Sequence, residues 1–268
     1  MPRRLIDANP RREHRRQLRL RTAIDRKFAR LFRAEIVRAT MAMLDQYRAT
    51  GAMPDLPDDH HRNMTDIWRR LATVSVDVFG GRILDQGKAL GLVAETKDIN
   101  AEFFLRLVED FIADEMLRQR ITSITRVTRV SIINQILAGQ TDGLGIEAIA
   151  RNIETALPSK SRTRAALIAR TETHGASNYA SDQAADALGL DMQKEWIAVE
   201  DERTRGVDPA DEFSHIAMNS ADPVDKGQPF QVPDKYGGFE ELMYPGDLSG
   251  SAGNIINCRC VVGYIVKE

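Results

Sequence analysis

From Arg11 to Arg48 the chain runs without a proline or a glycine, and Leu20, Ile24, Phe28, Leu31, Ile36, Ala39 and Met43 recur at close to helical spacing. A stretch of this length with one apolar stripe predicts a single long amphipathic helix laid on a core. Its polar side is strongly biased in sign. Residues 1–50 hold 14 Lys or Arg against 5 Asp or Glu, whereas residues 189–268 hold 7 against 15, so the overall charge of -2 conceals a basic arm and an acidic end. Most charged helix faces are simply solvated, but such faces normally mix both signs. The bias therefore nominates Arg11, Arg12, Arg15, Arg16, Arg19, Arg26, Lys27, Arg30 and Arg33 for contact with DNA phosphates or an acidic protein surface.

Further along, Gly51 to Asp59 forms a connector containing Pro54 and Pro57, and helical spacing resumes from about Asn63 toward Leu90 with a break expected at Gly80-Gly81. A third helix is expected from an Asn100 cap through Phe104, Leu107, Phe111, Leu117, Ile121 and Ile124 toward Ile136. Pro158 should end a short helix begun near Ile146, and Ser161 should cap another reaching about Leu188. His60-His61 read as loop residues, and Trp68, Phe103 and Phe104 as core. After Gly189 the texture changes to Pro, Gly and Asp with short β-branched runs such as Cys260 to Val266, which favour strands. The expected class is α+β. A mostly helical region 1–115 precedes a small mixed domain 116–268, helical to about 188 and β-rich from 189.

The Arg-rich start lacks the apolar centre of a signal peptide, and no stretch has the roughly 18 to 20 apolar residues of a membrane span, so no membrane partner is expected. Cys258 and Cys260, the two cysteines, are separated by one residue, which disfavours a disulfide between them.

From residue 168 onward several elements follow in a definite order. Arg170-Thr171-Glu172 and Asn178 come first, then Trp196, then Asp201, Arg203 and Arg205, then His215, Asp247, and finally Asn257-Cys258-Arg259-Cys260. Each is common alone; in this order, over about residues 120–266, they resemble the Mu F-like phage head morphogenesis family. Asn219-Ser220 stands where that family usually has an Asp-Gly or Asn-Gly turn. The resemblance implies a structural minor head protein of a tailed bacteriophage, not an enzyme, present inside the capsid near the portal and assembled in the host cytoplasm. Its partners would be the portal protein, capsid or scaffold proteins and double-stranded DNA, with no small-molecule substrate and no cofactor. The motif residues are then fold determinants. Arg170 and Glu172 are too close in sequence to face each other on a helix, and Asp201, Arg203 and Arg205 are candidates to pair with them.

The cysteines admit other readings. On a strand both sulfurs would share one face, with Arg259 on the other. With His215 they supply three zinc ligands, and Asp201, Asp247 or His174 is a candidate fourth. Cys-x-Cys is not the usual zinc spacing, so packed structural thiols are the plainer reading. A Cys/His or zinc-dependent hydrolase is the enzyme alternative, and a DNA-binding protein outside virions the binding alternative.

Overall fold

The computed structural model describes residues 3–5, 9–92 and 101–267. In chain order these form β1 (Arg3–Arg4), α1 (Pro10–Thr50), α2 (His60–Ser75), a π-helical turn (Val76–Gly80), α3 (Gly81–Ala89), α4 (Ala101–Ala113), α5 (Glu115–Thr141) and α6 (Ile146–Ala187). They continue with β2 (Met192–Ile197), a 3-10 turn (Ile216–Ser220), β3 (Val224–Asp225), β4 (Phe230–Pro233), β5 (Phe239–Leu242), α7 (Ala252–Ile255) and β6 (Val261–Val266). The class is α+β, as the composition shift after Gly189 implied.

Helix boundaries follow local chemistry. Gly51, at φ 66°, ends α1 by donating its N–H to the Tyr47 carbonyl at 2.8 Å, a C-terminal stop that glycine adopts without strain. The expected break at Gly80-Gly81 is instead a widened π turn between α2 and α3. The single helix expected over Phe104 to Ile136 is divided at Asp114, whose carboxylate accepts the N–H groups of Met116 and Leu117 and caps α5. The expected Asn100 cap lies outside the described residues. Pro158 does not end its helix: α6 runs through it for 42 residues, and Ser161, expected as a cap, is buried mid-helix with its hydroxyl on the Pro158 carbonyl.

Contacts divide the chain into two units, Met1–Ile24 with Leu71–Phe111 and Arg170–Glu268, and Asp25–Arg70 with Ile112–Ala169. The division expected near residue 115 follows chain order, and these units do not, because α1 and α6 each contribute to both.

The second unit is helical. Met43, Leu44 and Tyr47 pack with Ile132, Ile136, Ile149 and Ile153, and Phe32 meets Trp68 edge-on at 4.5 Å. His60 and His61 open α2 rather than sitting in a loop. His60 is buried, with Nδ1 at 2.6 Å from Glu35, whose carboxylate also takes both ends of the Arg38 guanidinium.

The first unit holds the sheets. β1, β6, β2 and β3 lie in that order, all antiparallel, with β6 running against β2 from Met192↔Val266 to Ile197↔Val261. Every residue of β6 is buried, which explains why it reads as a continuous apolar run instead of alternating. β4 and β5 form a separate hairpin registered Phe230↔Leu242. Trp196, Phe230, Val262 and Tyr264 from these strands pack with Leu84, Ala184 and Leu188 into one core, and Phe104 lies partly buried against it.

Candidate functional site

Every side chain from Thr171 to Asn178 on α6 is buried, although most of them are polar. Their partners come from the start of α1, from the turn after β5, and from the residues preceding β6. Arg21 is the centre. Its Nε donates to Ser177 Oγ at 2.6 Å, one terminal nitrogen to Asn178 Oδ1 at 2.7 Å and Gln17 Oε1 at 3.2 Å. The other donates to His174 Nδ1 at 2.9 Å and the Cys260 carbonyl at 3.3 Å. Gln17 donates in turn to Glu13 at 2.8 Å, and Glu13, fully buried, is met by Arg82 at 2.5 Å. Asn178 adds a bond to the Pro245 carbonyl at 2.6 Å. The adjoining Gly246 has φ 82° and lies so close that a Cβ there would stand 2.7 Å from the His174 ring, so only glycine fits.

Sequence reasoning missed Arg21, His14 and Gln17. A signal existed: at helical spacing 14, 17, 21, 24, 28 and 32 form the buried stripe of α1, and its first three members are polar. Leu20 and Leu31, expected on the stripe, are half-buried at its edge.

Cys258 and Cys260 precede β6 rather than lying in it. Asn257, in the left-handed region at φ 59°, turns the chain toward α6 and donates its N–H to Thr171 Oγ1 at 3.3 Å. Both sulfurs nevertheless reach one atom, His215 Nδ1, at 3.4 and 3.5 Å. His215 is fixed by its backbone N–H on the Arg205 carbonyl at 3.0 Å, by the edge of Trp196 at 5.4 Å between ring centres, and by Asn254 Oδ1, 3.0 Å from Nε2. Trp196 Nε1, buried and without a hydrogen-bond partner of normal geometry, faces the Cys260 thiol and favours its charged form. Beside the triad a cavity of about 10 Å³ is lined by Val199, Thr204, Arg205 and the cysteines. His215, Cys258 and Cys260 are the buried group among the described residues whose ligand atoms converge closely enough for a metal ion.

The electrostatics are uneven. Burial alone would raise the Cys258 thiol, but the Cys260 hydrogen bond and the nearby His174 and His215 hold it well below the ordinary value. Burial and the neighbouring Cys258 push Cys260 well above it. Burial also depresses His174, and lowers His14 to about 4 against a bond from His14 to the Arg259 carbonyl that acts the other way. Above pH 6.5 His14 is neutral both folded and unfolded; between 6.5 and 4 the unfolded chain takes up a proton that the folded chain refuses. Stability of this unit is therefore expected to fall by at most about 3 to 4 kcal/mol as pH drops through that window, and His14→Gln to flatten the slope in urea titrations at several pH values.

Residues 131–263 match the family Phage Mu protein F like protein. The chain also shares 26% identity over 173 residues with an NAD(+)--arginine ADP-ribosyltransferase EFV of Enterococcus faecalis (strain ATCC 700802 / V583), covering 63% of this chain and 32% of that protein. The chain thus spans about a third of that relative's length. No solved structure matches.

The Mu F-like motif residues are dispersed between interior and surface. Thr171, Glu172, Asn178, Trp196, His215, Asp247, Cys258 and Cys260 are buried, Asp201, Arg205 and Arg259 half-buried, and Arg170, Arg203 and Asn257 exposed. Asp201 does not serve Arg170: it takes both ends of the Arg259 guanidinium, which holds its carboxyl down at about 2. Arg205 donates to the Ile256 carbonyl. Asp247, one of the expected fourth ligands, is spent on the Met243 N–H at 2.7 Å and on both Ser249 donors. Asn219 brackets Ala198, accepting its N–H at 2.8 Å and donating to its carbonyl at 3.2 Å, so the side chain ties the 3-10 turn to the residue that follows β2.

On α1, Arg11, Arg12, Arg15, Arg16, Arg19, Arg26, Lys27 and Arg30 are all exposed and Arg33 is half-buried. At about 100° per residue the eight exposed cations fall within roughly 160° of the helix circumference. Glu13, Asp25 and Glu35 lie off that arc, two of them buried, so the exposed arc carries one sign of charge. Arg11 is joined to Glu200 at 2.6 Å, and Arg33 is turned to Ser161.

Proposed function

We propose that this protein is a structural minor head protein of a tailed bacteriophage, portal-associated within the capsid, with the arginine arc of α1 lying on packaged DNA. The Mu F-like match over residues 131–263 carries this reading. The site supports it: Asn178 is spent on Arg21 and the Pro245 carbonyl, Asp247 on the Met243 N–H, and Asp201 on Arg259, as fold determinants are. The single-sign arc of α1 supports the DNA contact, since phosphate neutralisation needs clustered cations and no fixed base-reading geometry.

Procapsids isolated from an infection should contain the protein together with the portal, and the two should co-purify after mild dissociation. Reversing Arg15, Arg19 and Arg26 to glutamate should leave portal association intact. The same change should weaken binding to mixed-sequence duplex DNA at least tenfold at low salt and flatten its salt dependence. Absence of the protein from particles would overturn the reading, and duplex binding that is indifferent to salt would remove the DNA contact.

A further inference from the structure

We infer that His215, Cys258 and Cys260 bind a soft divalent transition-metal ion of the zinc class, which clamps the 198–220 segment to the residues preceding β6. The hydrogen-bond network assigns the protons. Asn254 uses its amide nitrogen on the Pro233 carbonyl, so its oxygen faces His215 and accepts from Nε2–H. Nδ1 is left as a bare lone pair, and it points at two sulfurs, 3.4 and 3.5 Å away. One thiol can donate to that lone pair; the other has only its neighbouring sulfur, a weak acceptor, to turn to. A cation between the three atoms resolves the convergence. With zinc–sulfur bonds of about 2.3 Å and zinc–nitrogen bonds of about 2.0 Å at a tetrahedral angle, an N···S edge measures about 3.5 Å, close to both observed distances. The Nε2–H to Asn254 bond is the outer contact that metal-bound imidazoles ordinarily make.

Charge favours the same occupant. Two thiolates neutralise a divalent ion, so a loaded site adds no net charge to a fully buried position. His174 is excluded as the fourth ligand by its own partner: an arginine is always a donor, so Arg21 requires Nδ1 of His174 as acceptor and leaves the proton on Nε2. His174 supplies that N–H to Cys258 instead. Asp201 is held by Arg259 and Asp247 by its own turn. The fourth vertex faces the cavity of about 10 Å³, room for about one water and for nothing larger, which makes the site a clamp and not a reaction centre.

The test uses the full chain purified without chelator. Elemental analysis should find stoichiometric zinc. Exchange with cobalt(II) should give an intense near-ultraviolet thiolate-to-metal band and tetrahedral visible bands. C260S and H215A should each lose most of the metal, whereas H174N, which keeps a donor toward Cys258, should retain it. If a variant fails to fold, the cobalt spectrum of the unaltered chain decides alone. Folded protein without zinc that gives no thiolate band with cobalt would overturn the inference and leave a shared proton between the three atoms.

Discussion

Replacing Arg21 by methionine is expected to destabilise the unit containing the sheets by about 3 to 5 kcal/mol, read as a fall in its urea midpoint at unchanged slope. Arg21 is 3% exposed. Its loss strands Ser177, Asn178, Gln17 and His174 in an interior where each unmet polar group costs about 1 to 3 kcal/mol, while the aliphatic stem it shares with methionine keeps most of the packing. Lysine should not rescue it, because a single ammonium cannot address five acceptors spread over the planar fork. The contrast is Arg11, exposed and paired with Glu200, where an alanine should cost under about 1 kcal/mol. Equal effects at the two positions would show that the buried network contributes nothing of its own.

Trp68→Ala should cost the helical unit a comparable amount, about 3 to 5 kcal/mol, and Trp68→Phe much less. Trp68 and its edge-on neighbour Phe32 are both fully buried. Removing the indole leaves a cavity that rigid helices close poorly, whereas a phenyl ring refills most of it. Urea unfolding followed by circular dichroism checks both variants. An alanine variant as stable as the parent would mean that α1 and α2 re-pack freely around position 68.

These two residues stood very differently to a reader of the sequence. Trp68, like Ile24, Phe28, Ile36 and Met43, announces itself by helical spacing of apolar side chains. Arg21 does not, since an arginine among a dozen others reads as surface, and only its place in the stripe marks it. The errors at Pro158 and Asp114 have one origin. Proline usually ends a helix because it removes a hydrogen bond and crowds the preceding turn, yet packing along both halves of α6 outweighs that local cost. Asp114 is one acid among several in an apolar-periodic run, and its capping role appears only once its carboxylate is seen on Met116 and Leu117. The motif order was readable from Arg170 to Cys260, and so was the grouping of both cysteines with His215; that the two sulfurs meet at the single atom Nδ1 was not, because the ring is held that way by Asn254, which signals no ligand sphere.

The pairing of β6 with β1 has a consequence for how the chain comes into being. Arg3 registers against Val266, so the sheet joins residues separated by nearly the whole length described. During synthesis, β1, the start of α1 and the buried row on α6 must all wait for the segment 257–266 before their partners exist. The unit that carries the motif thus has high contact order and should fold late and slowly. The helical unit, complete once residue 169 has emerged, can form first and hold the nascent chain in order.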